Sequence, residues 1–205
     1  LTKLLLENHG IKTTNFIIFK NIKDTIKNMK FPMVIKPSDG GSSCGVSIVN
    51  NIIELKRSIK EAKKYSDNII IEEYIKGREL ECAILENNKD LVISKIGEII
   101  VNNDIYSYED KYVTNKSMLI TPTLINYTVE NSIKKIAKKA FNICKCKGLA
   151  RIDFLYDESN NKIYLNEINT LPGFTDISMF PKLLSLEGYS YTDLITIILN
   201  NELNS

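Results

Sequence analysis

Two short segments near the C-terminal end of the sequence carry polar side chains that could bind a cation and a phosphate group. One is "ARIDF", with Arg151 and Asp153, and the other is "YLNEINTLPGFT", with Glu167 and Asn169. Alternate side chains of a β-strand share a face, so each segment presents its two polar residues on one side. Two carboxylates and an amide oxygen are hard ligands suited to Mg²⁺. The arginine is suited to stabilise negative charge on a transferring phosphoryl group.

The second segment has apolar residues immediately before its polar ones. Strict alternation predicts that Ile163, Leu165, Glu167 and Asn169 share one face, which puts a carboxylate beside buried apolar side chains. A buried carboxylate is costly unless it is paired or binds a metal. An ion pair with Arg151 on a half-exposed sheet is the alternative. The combination of two acids, an amide and an arginine favours the metal.

A glycine-rich loop, "KPSDGGSSCGVS", follows a predicted strand that ends at Lys36. Backbone N–H groups in such a loop can surround phosphate oxygens, and glycine permits their close approach. The loop matches neither the P-loop pattern nor G-x-G-x-x-G. From composition alone, a glycine-rich hairpin without a ligand is an equally good interpretation.

Acidic residues also cluster in "IIIEEYIKGRELE", where a predicted strand ends. Glu72 and Glu73 are consecutive there, so they face opposite sides of the strand. Carboxylates in this position could accept hydrogen bonds from a ligand's amine or ribose hydroxyls. Solvated acids at a strand end are the alternative, and they are the more common case.

The elements that must position these residues alternate along the chain, which predicts an α+β protein. Residues 148–156 and 162–169 are predicted to form a hairpin through the polar loop "DESNN", which would bring Arg151, Asp153, Glu167 and Asn169 onto one surface. Asn21 and Thr128 are predicted to cap the helices that follow them. The predicted helices are 1–10, 21–29, 50–65, 128–145 and two more within 176–203. The other predicted strands are 14–19, 31–36, 46–49, 68–75, 79–86, 90–95 and 97–101.

The composition argues against several classes of protein. The 27 basic and 25 acidic residues give a formal charge of +2, so we expect no nucleic-acid partner. No stretch approaches 18 apolar residues and no signal peptide is visible, so we expect no membrane partner and a cytoplasmic location. The four cysteines lack zinc-ligand spacing and are expected to be thiols. His9 is the single histidine and is expected at a helix end, which argues against His-based triads.

Taken together, five segments resemble the D-alanine–D-alanine ligases of the ATP-grasp superfamily. They are "FPMVIKPSDGGSSCGVS", "IIEEYIKGRELECAIL", "YSYEDKY", "GLARIDF" and "LNEINTLPGFTDISMFPKL". The resemblance covers essentially the whole chain, with the motifs in the family's order. It implies an α+β ATP-grasp fold in which the nucleotide binds between two α+β lobes. Residues 1–76 would be the central lobe with the phosphate loop, and residues 77–205 the C-terminal lobe with the metal and substrate site.

The resemblance implies an ATP-dependent ligase that joins two D-amino acids for peptidoglycan synthesis. ATP would phosphorylate the carboxylate of one D-alanine, and the amine of the second amino acid would displace the phosphate. The implied cofactors are ATP and two Mg²⁺ ions, with Mn²⁺ as a substitute, and the full-length protein is expected to be a homodimer. A D-alanine–D-serine ligase of glycopeptide resistance is an alternative. The Lys-Tyr pair in "EDKY" argues against D-lactate but does not separate D-serine from D-alanine.

The resemblance also assigns roles to individual residues. The catalytic residues would be Arg151, at the transferred phosphoryl group, and Ser42 and Tyr112, which would be hydrogen-bonded when a mobile loop closes. The nucleotide would be bound by Lys36, Ser42, Ser43, Glu72, Glu73, Ile75, Glu79 and Lys111. The metal ligands would be Asp153, Glu167 and Asn169, and the second substrate would be positioned by Gly173 and Ser178.

The sequence departs from the family at its N-terminal end. The family has an additional N-terminal domain before the region that Leu1 matches, with a glutamate near the first D-alanine. A lysine that contacts ATP also lies upstream in the family, and neither residue is present here. We therefore expect the chain alone to be an ATP-grasp fragment with weak or no ligase activity, and an inactive ATP-binding fragment is a further alternative.

Overall fold

Two β-sheets with helices packed against them make up the protein, which confirms the predicted α+β class. The computed structural model describes residues 2–39, 41, 43–100 and 118–203. Within these residues the helices are α1 (Thr2–Asn8), α2 (Ile22–Asn28), α3 (Ile52–Ala62), α4 (Tyr127–Ile143), α5 (Met179–Ser185) and α6 (Tyr191–Leu203). The strands are β1 (Phe16–Ile18), β2 (Met33–Pro37), β3 (Ser47–Val49), β4 (Ile69–Glu73), β5 (Arg78–Asn87), β6 (Asp90–Ile100), β7 (Met118–Ile120), β8 (Leu149–Asp157) and β9 (Lys162–Asn169).

The chain divides into two compact units by its contacts. The four-stranded unit contains residues 14–76, and the five-stranded unit contains residues 2–13, 77–100 and 119–203. Residues 2–13 therefore group with the segment that begins at Gly77. The identification of residues 1–76 and 77–205 as the two ATP-grasp lobes stays a prediction.

The four-stranded unit has the strand order β1-β4-β2-β3, with antiparallel pairs throughout. Helix α3 is amphipathic, as predicted, because its apolar residues recur at helical spacing and pack against the sheet. The predicted cap of α2 is confirmed, since the side chain of Asn21 accepts a hydrogen bond from the Asp24 N–H at 2.9 Å. The buried core residues here include Met33, Ile35, Leu55, Ile59, Ile69 and Ile71.

The five-stranded unit has the strand order β7-β6-β5-β8-β9. One face packs against α4 and α1 and forms the larger core, because the apolar residues of β5 and β8 alternate onto that face. Helix α5 contacts β5 and β6. The buried core residues here include Leu6, Leu80, Ile84, Ile133, Ile152, Phe154 and Leu165.

Two details of the predicted elements were wrong. The strands predicted at 90–95 and 97–101 are one continuous strand, β6. Gly97 suggests a break, but it lies within the strand. Glycine is needed there because α5 passes close by, and a Cβ would overlap the Met179 sulfur. The cap of α4 is Asn126 rather than Thr128. Its side-chain oxygen accepts from the Thr128 N–H at 2.8 Å, so the helix starts earlier.

The hairpin of β8 and β9 is confirmed, but its register contains an irregularity. Asp153 faces Glu167 and the next residue of β8, Phe154, faces Leu165, so Asn166 is an extra residue in β9. An extra residue of this kind, a β-bulge, reverses the alternation of side chains beyond it. Leu165 therefore points to the core with Phe154, whereas Glu167 points to the opposite face.

The prediction that Ile163, Leu165, Glu167 and Asn169 share one face was therefore wrong. Ile163 and Leu165 contribute to the core, and Ile168 takes over that role after the bulge. Glu167 is exposed, and Asn169 is half-buried on the other face. In the part of the chain that the structure describes, none of the helices has the length and apolar character needed to cross a bilayer.

Candidate functional site

Three carboxylates form a row across β5, β8 and β9. Glu81 is the Cα partner of Asp153, and Asp153 is the Cα partner of Glu167. Arg151 and Asn169 are partners in the neighbouring row. Cross-strand partners point to the same face of a sheet. The structure therefore brings Arg151, Asp153, Glu167 and Asn169 together on one surface, opposite the α4 core.

Hydrogen bonds connect these side chains. The Nε and Nη2 atoms of Arg151 donate to Oδ1 and Oδ2 of Asp153, each at 2.8 Å. Nδ2 of Asn169 donates to Oδ2 of Asp153 at 2.9 Å and to Oε1 of Glu167 at 3.3 Å. Asp153 is thus the centre of the cluster, with an arginine on one side and an amide on the other.

Glu81 belongs to the same cluster, although its role was not predicted from the sequence. Its Oε2 lies 3.1 Å from Nε of Arg151, and only 4% of its side chain is exposed. The signal was present in "RELEC", because Glu79 and Glu81 alternate with the apolar Leu80 and must face away from the core.

The charges of this cluster do not balance. One guanidinium faces the three carboxylates of the row, which leaves a formal excess of two negative charges when all are ionised. Burial raises the pKa of Asp153 to about 6, and the charge of Glu167 adds to this rise, although Arg151 opposes it. Burial alone would lower the pKa of Arg151, but Asp153 and Glu81 raise it above its ordinary value. A cation would relieve this excess of negative charge.

The donor set fits Mg²⁺ bound together with a phosphate. No group of three His, Cys, Asp or Glu side chains within residues 2–39, 41, 43–100 and 118–203 could hold a metal. Mg²⁺ commonly binds through one or two carboxylates and completes its octahedron with phosphate oxygens and water. Asp153 and Glu167 supply the carboxylates. Asn169 points its NH₂ group at both, so a half-turn of the amide would present its oxygen instead.

Lys36 and Glu72 form a second charged pair, in the four-stranded unit. Nζ of Lys36 lies 3.1 Å from Oε2 of Glu72, and the Thr14 hydroxyl donates to the same oxygen at 2.8 Å. Glu72 is only 2% exposed, so it is not the solvated acid of the alternative interpretation. Glu73 is half-buried and accepts a hydrogen bond from the Asn15 N–H at 2.9 Å. The role of Thr14 was missed, because nothing in the sequence links it to a strand 58 residues away.

Among the described residues of the glycine-rich loop, hydrogen bonds hold Asp39 at its start, and positive φ angles occur near its end. Asp39 accepts hydrogen bonds from Ser38 at 2.7 Å and from Ser66 at 2.8 Å. Ser43 adopts a positive φ of 59°, and Gly45 has a φ of 74° beside the ring of Tyr65. This left-handed conformation favours glycine at position 45.

The remaining predicted nucleotide residues have different environments. Ile75 and Glu79 are both half-buried. Glu79 lies on the same face of β5 as Glu81, two residues away. The predicted residues Ser42, Lys111 and Tyr112 lie outside the described residues.

Gly173 and Ser178 lie against each other. A Cβ at Gly173 would come within 2.8 Å of the Ser178 hydroxyl oxygen. That hydroxyl accepts a hydrogen bond from the Thr175 N–H at 3.1 Å and lies 2.9 Å from the Thr175 hydroxyl. The turn is held further by Phe174, whose carbonyl accepts a hydrogen bond from the Tyr191 hydroxyl at 2.5 Å.

Cys82 and His9, the other side chains with possible chemical roles, lie outside this cluster. Cys82 is fully buried in the core, and burial raises the pKa of its thiol to about 12. Its thiol is therefore protonated at neutral pH and unsuited to nucleophilic attack. His9 is exposed at the end of α1, as expected, with Nδ1 2.8 Å from the Leu5 carbonyl oxygen.

Comparisons with known proteins agree on one family. The family model described as D-Ala D-Ala ligase C-terminus matches residues 5–200. The D-alanine–D-alanine ligase of Wigglesworthia glossinidia brevipalpis is 43% identical over 201 residues, covering 95% of this chain and 57% of that protein. The D-alanine–D-alanine ligase of Acetivibrio thermocellus is 40% identical over 203 residues, covering 94% of this chain and 54% of that protein.

Solved structures give the same result. The VanG D-Ala:D-Ser ligase from Enterococcus faecalis has a TM-score of 0.86 at 29% identity, covering 97% of this chain and 59% of that one. The D-alanine–D-alanine ligase from Bacillus anthracis complexed with ATP has a TM-score of 0.82 at 25% identity, covering 99% and 64%. The chain spans little more than half the length of the curated relatives named above. With its hairpin cluster and this agreement over nearly all its residues, the chain belongs to the D-Ala–D-Ala ligase C-terminus family.

Proposed function

We propose that the full-length protein containing this chain is an ATP-dependent ligase that joins two D-alanine molecules for peptidoglycan synthesis. The observation that carries the proposal is the cluster of Arg151, Asp153, Glu167 and Asn169 on one surface of the hairpin. Family membership and the names of the relatives support the same activity. We further propose a cytoplasmic homodimer for the full-length protein.

ATP is the proposed phosphoryl donor, and Lys36 is the residue best prepared to bind its phosphates. Glu72, which accepts a hydrogen bond from Thr14, holds the lysine from one side, so its ammonium group needs little reordering to meet an anion. The Bacillus anthracis neighbour was solved with ATP, which supports the same ligand. The nucleotide residues of the proposal are Lys36, Ser42, Ser43, Glu72, Glu73, Ile75, Glu79 and Lys111.

Arg151 is proposed to stabilise negative charge on the transferred phosphoryl group. Its Nε and Nη2 atoms hold Asp153, and among the described residues none accepts a hydrogen bond from Nη1. Asp153, Glu167 and Asn169 are proposed to hold two Mg²⁺ ions, for which Mn²⁺ can substitute. When bound, these ions would neutralise charge on the phosphate oxygens. Ser42 and Tyr112 keep their proposed roles in closing the site against water.

The second D-amino acid is proposed to bind at the turn of Gly173 and Ser178. The absence of a side chain at Gly173 leaves room beside the Ser178 hydroxyl, which is suited to bind a carboxylate. D-serine is the second candidate substrate, because the VanG ligase is a close structural neighbour. An ATP-binding fragment without turnover is the expectation for the isolated chain.

Phosphate release tests the proposal. The full-length protein with ATP and Mg²⁺ is expected to release phosphate when D-alanine is added, and parallel reactions with D-serine and D-lactate measure the second-substrate preference. Glu167→Gln is expected to reduce turnover by about 100-fold or more, because it removes one of the two carboxylates. Glu61→Gln is the matched control, since Glu61 pairs only with Lys64 on the exposed face of α3 in the described structure. Failure of all three amino acids to stimulate phosphate release would exclude the ligase.

A further inference from the structure

Glu81 is a buried carboxylate beside Arg151 to which the proposed reaction gives no role. We infer that Glu81 is a positioning residue: it holds the Arg151 guanidinium in place when Asp153 turns to a divalent cation. The inference rests on the proposed function, because it assigns a task to Glu81 within that reaction.

The geometry gives Arg151 two carboxylate neighbours at the same nitrogen. Its Nε donates to Asp153 Oδ1 at 2.8 Å, and Oε2 of Glu81 lies 3.1 Å from the same Nε. The Glu81 side chain is 4% exposed and the Arg151 side chain 15% exposed. Burial of this kind fixes both groups and strengthens their attraction, because little water screens them.

Asp153 cannot serve as the sole anchor of Arg151. Both of its oxygens accept hydrogen bonds from Arg151, and Oδ2 also accepts one from Asn169. A cation at Asp153 therefore competes directly with the arginine for those oxygens. With Glu81 already 3.1 Å away, Nε can transfer its hydrogen bond to Glu81 with only a small movement.

The excess negative charge supports the same assignment. A buried salt bridge that served stability alone would need a single carboxylate for one arginine, and additional buried charge is costly. Here Glu81 and Asp153 both lie beside Arg151, and Glu167 adjoins Asp153. After a cation takes Asp153 and Glu167, Arg151 and Glu81 remain as a balanced pair.

The test compares Glu81→Gln with wild type in the full-length protein. Glutamine keeps the shape of the side chain and removes its charge. We expect kcat for phosphate release to fall by about 10- to 100-fold while KM for ATP stays within about threefold, because the loss is in the transition state. Glu86→Gln is the matched control, since Glu86 lies on the same strand and accepts a hydrogen bond from the Gly148 N–H at 2.9 Å. It should leave both constants unchanged.

A second measurement follows Arg151 itself. Its Nε–H resonance, assigned by its loss in Arg151→Met, reports exchange of that proton with water. In wild type, Mg²⁺ with a non-hydrolysable ATP analogue should leave this exchange slow, because Glu81 retains the proton. In Glu81→Gln the same addition should accelerate exchange by about tenfold or more, because only the cation-bound Asp153 remains beside Nε. If the ion pair had a purely structural role, exchange in Glu81→Gln would not depend on Mg²⁺.

The outcomes separate the two proposals. If wild type releases no phosphate with any amino acid, the ligase fails, and the exchange measurement still decides the role of Glu81. If wild type is active but Glu81→Gln keeps kcat within twofold, or if exchange in Glu81→Gln is independent of Mg²⁺, the positioning role is wrong. If Glu81→Gln does not fold, Glu81→Asp keeps the charge on a shorter side chain. It should then show the same two effects in smaller size, and wild-type behaviour of this variant would overturn the inference.

Discussion

Arg151 and Asp153 lie two residues apart on β8, and their side chains form two parallel hydrogen bonds of 2.8 Å each. Residues at this spacing share a face of a strand, so the backbone itself sets their separation. The planar guanidinium matches both carboxylate oxygens, which makes the pair strong and directional. Because both groups are largely buried, this orientation is maintained by packing.

Arg151→Lys is expected to lower kcat for phosphate release by about 100- to 1,000-fold in the full-length protein. A lysine ammonium cannot hold both Asp153 oxygens in the same geometry and also contact a phosphoryl group. Steady-state kinetics with ATP and D-alanine measure the effect. Arg57→Lys on the exposed surface of α3 is the control and should keep wild-type kinetics. A kcat of Arg151→Lys within threefold of wild type would contradict the assigned role.

Gly77→Ala is expected to destabilise the chain by about 1–3 kcal/mol. A Cβ at this position would overlap the backbone carbonyl of Tyr156, which cannot move without disturbing β8. Urea denaturation of the 205-residue chain measures the free energy of unfolding. Gly41→Ala is the matched control, because none of the described atoms lies within 4 Å of a Cβ there. Equal stability of the two variants would show that the backbone at Gly77 adjusts freely.

Gly173→Ala is expected to raise KM for D-alanine by about tenfold while KM for ATP stays within threefold. The added methyl group would lie 2.8 Å from the Ser178 hydroxyl oxygen and displace it from its contacts with Thr175. Displacing one substrate-binding hydrogen bond commonly weakens binding by about this amount. Titrations of each substrate at saturating levels of the other give the two constants. Equal changes in both KM values would place Gly173 outside the second-substrate site.

Glu98 is expected to make stability depend on pH. It accepts hydrogen bonds from Arg78 at 2.8 and 2.6 Å and from the Thr123 hydroxyl at 2.5 Å. Burial would raise the pKa of Glu98, but Arg78 and Thr123 together lower it below its ordinary 4.5. The folded state therefore binds this proton less readily than the unfolded state. The stabilisation is complete above pH 4.5 and is lost as the pH falls through the lower folded value.

Glu98→Gln should accordingly cost about 1–3 kcal/mol at pH 7, since hydrogen bonds to a charged group are removed. Below pH 4.5 the difference from wild type should shrink, because Glu98 becomes protonated in wild type too. Urea denaturation at several pH values between 3 and 7 measures this difference. Glu61→Gln, at an exposed pair on α3, should differ from wild type by less than about 0.5 kcal/mol throughout. A pH-independent difference for Glu98→Gln would disprove the assigned ionisation.

Local patterns in the sequence were sufficient to predict most elements and the hairpin that carries the site. Asn21 was correctly identified as a cap because a single strong capping residue precedes that helix. Asn126 was missed because Thr128 is also a good cap, and only the contact between them decides where the helix begins. The contact that requires glycine at position 97 comes from α5, more than 80 residues away along the chain, so no local sequence pattern reveals it.

The candidate site was only partly predictable, for a related reason. The pairing of β8 with β9 decides which residues lie opposite Glu167. The sequence pattern alone allows Glu167 to point either to the core or away from it. Glu81 could be placed on the polar face of β5, but its proximity to Arg151 follows from β5 pairing with β8. Strand order is a long-range property, and single-residue periodicity does not contain it.

The extra residue Asn166 has a consequence for comparing and engineering these proteins. It divides β9 into two parts. The residues before it are in register with Phe154 and the core, and the residues after it are in register with Asp153. Deleting Asn166 would remove the bulge and leave regular alternation, in which Leu165 and Ile168 still point to the core and Glu167 still points to the opposite face. Alignment gaps and chimera junctions in this hairpin therefore belong at position 166, where each half keeps its own phase.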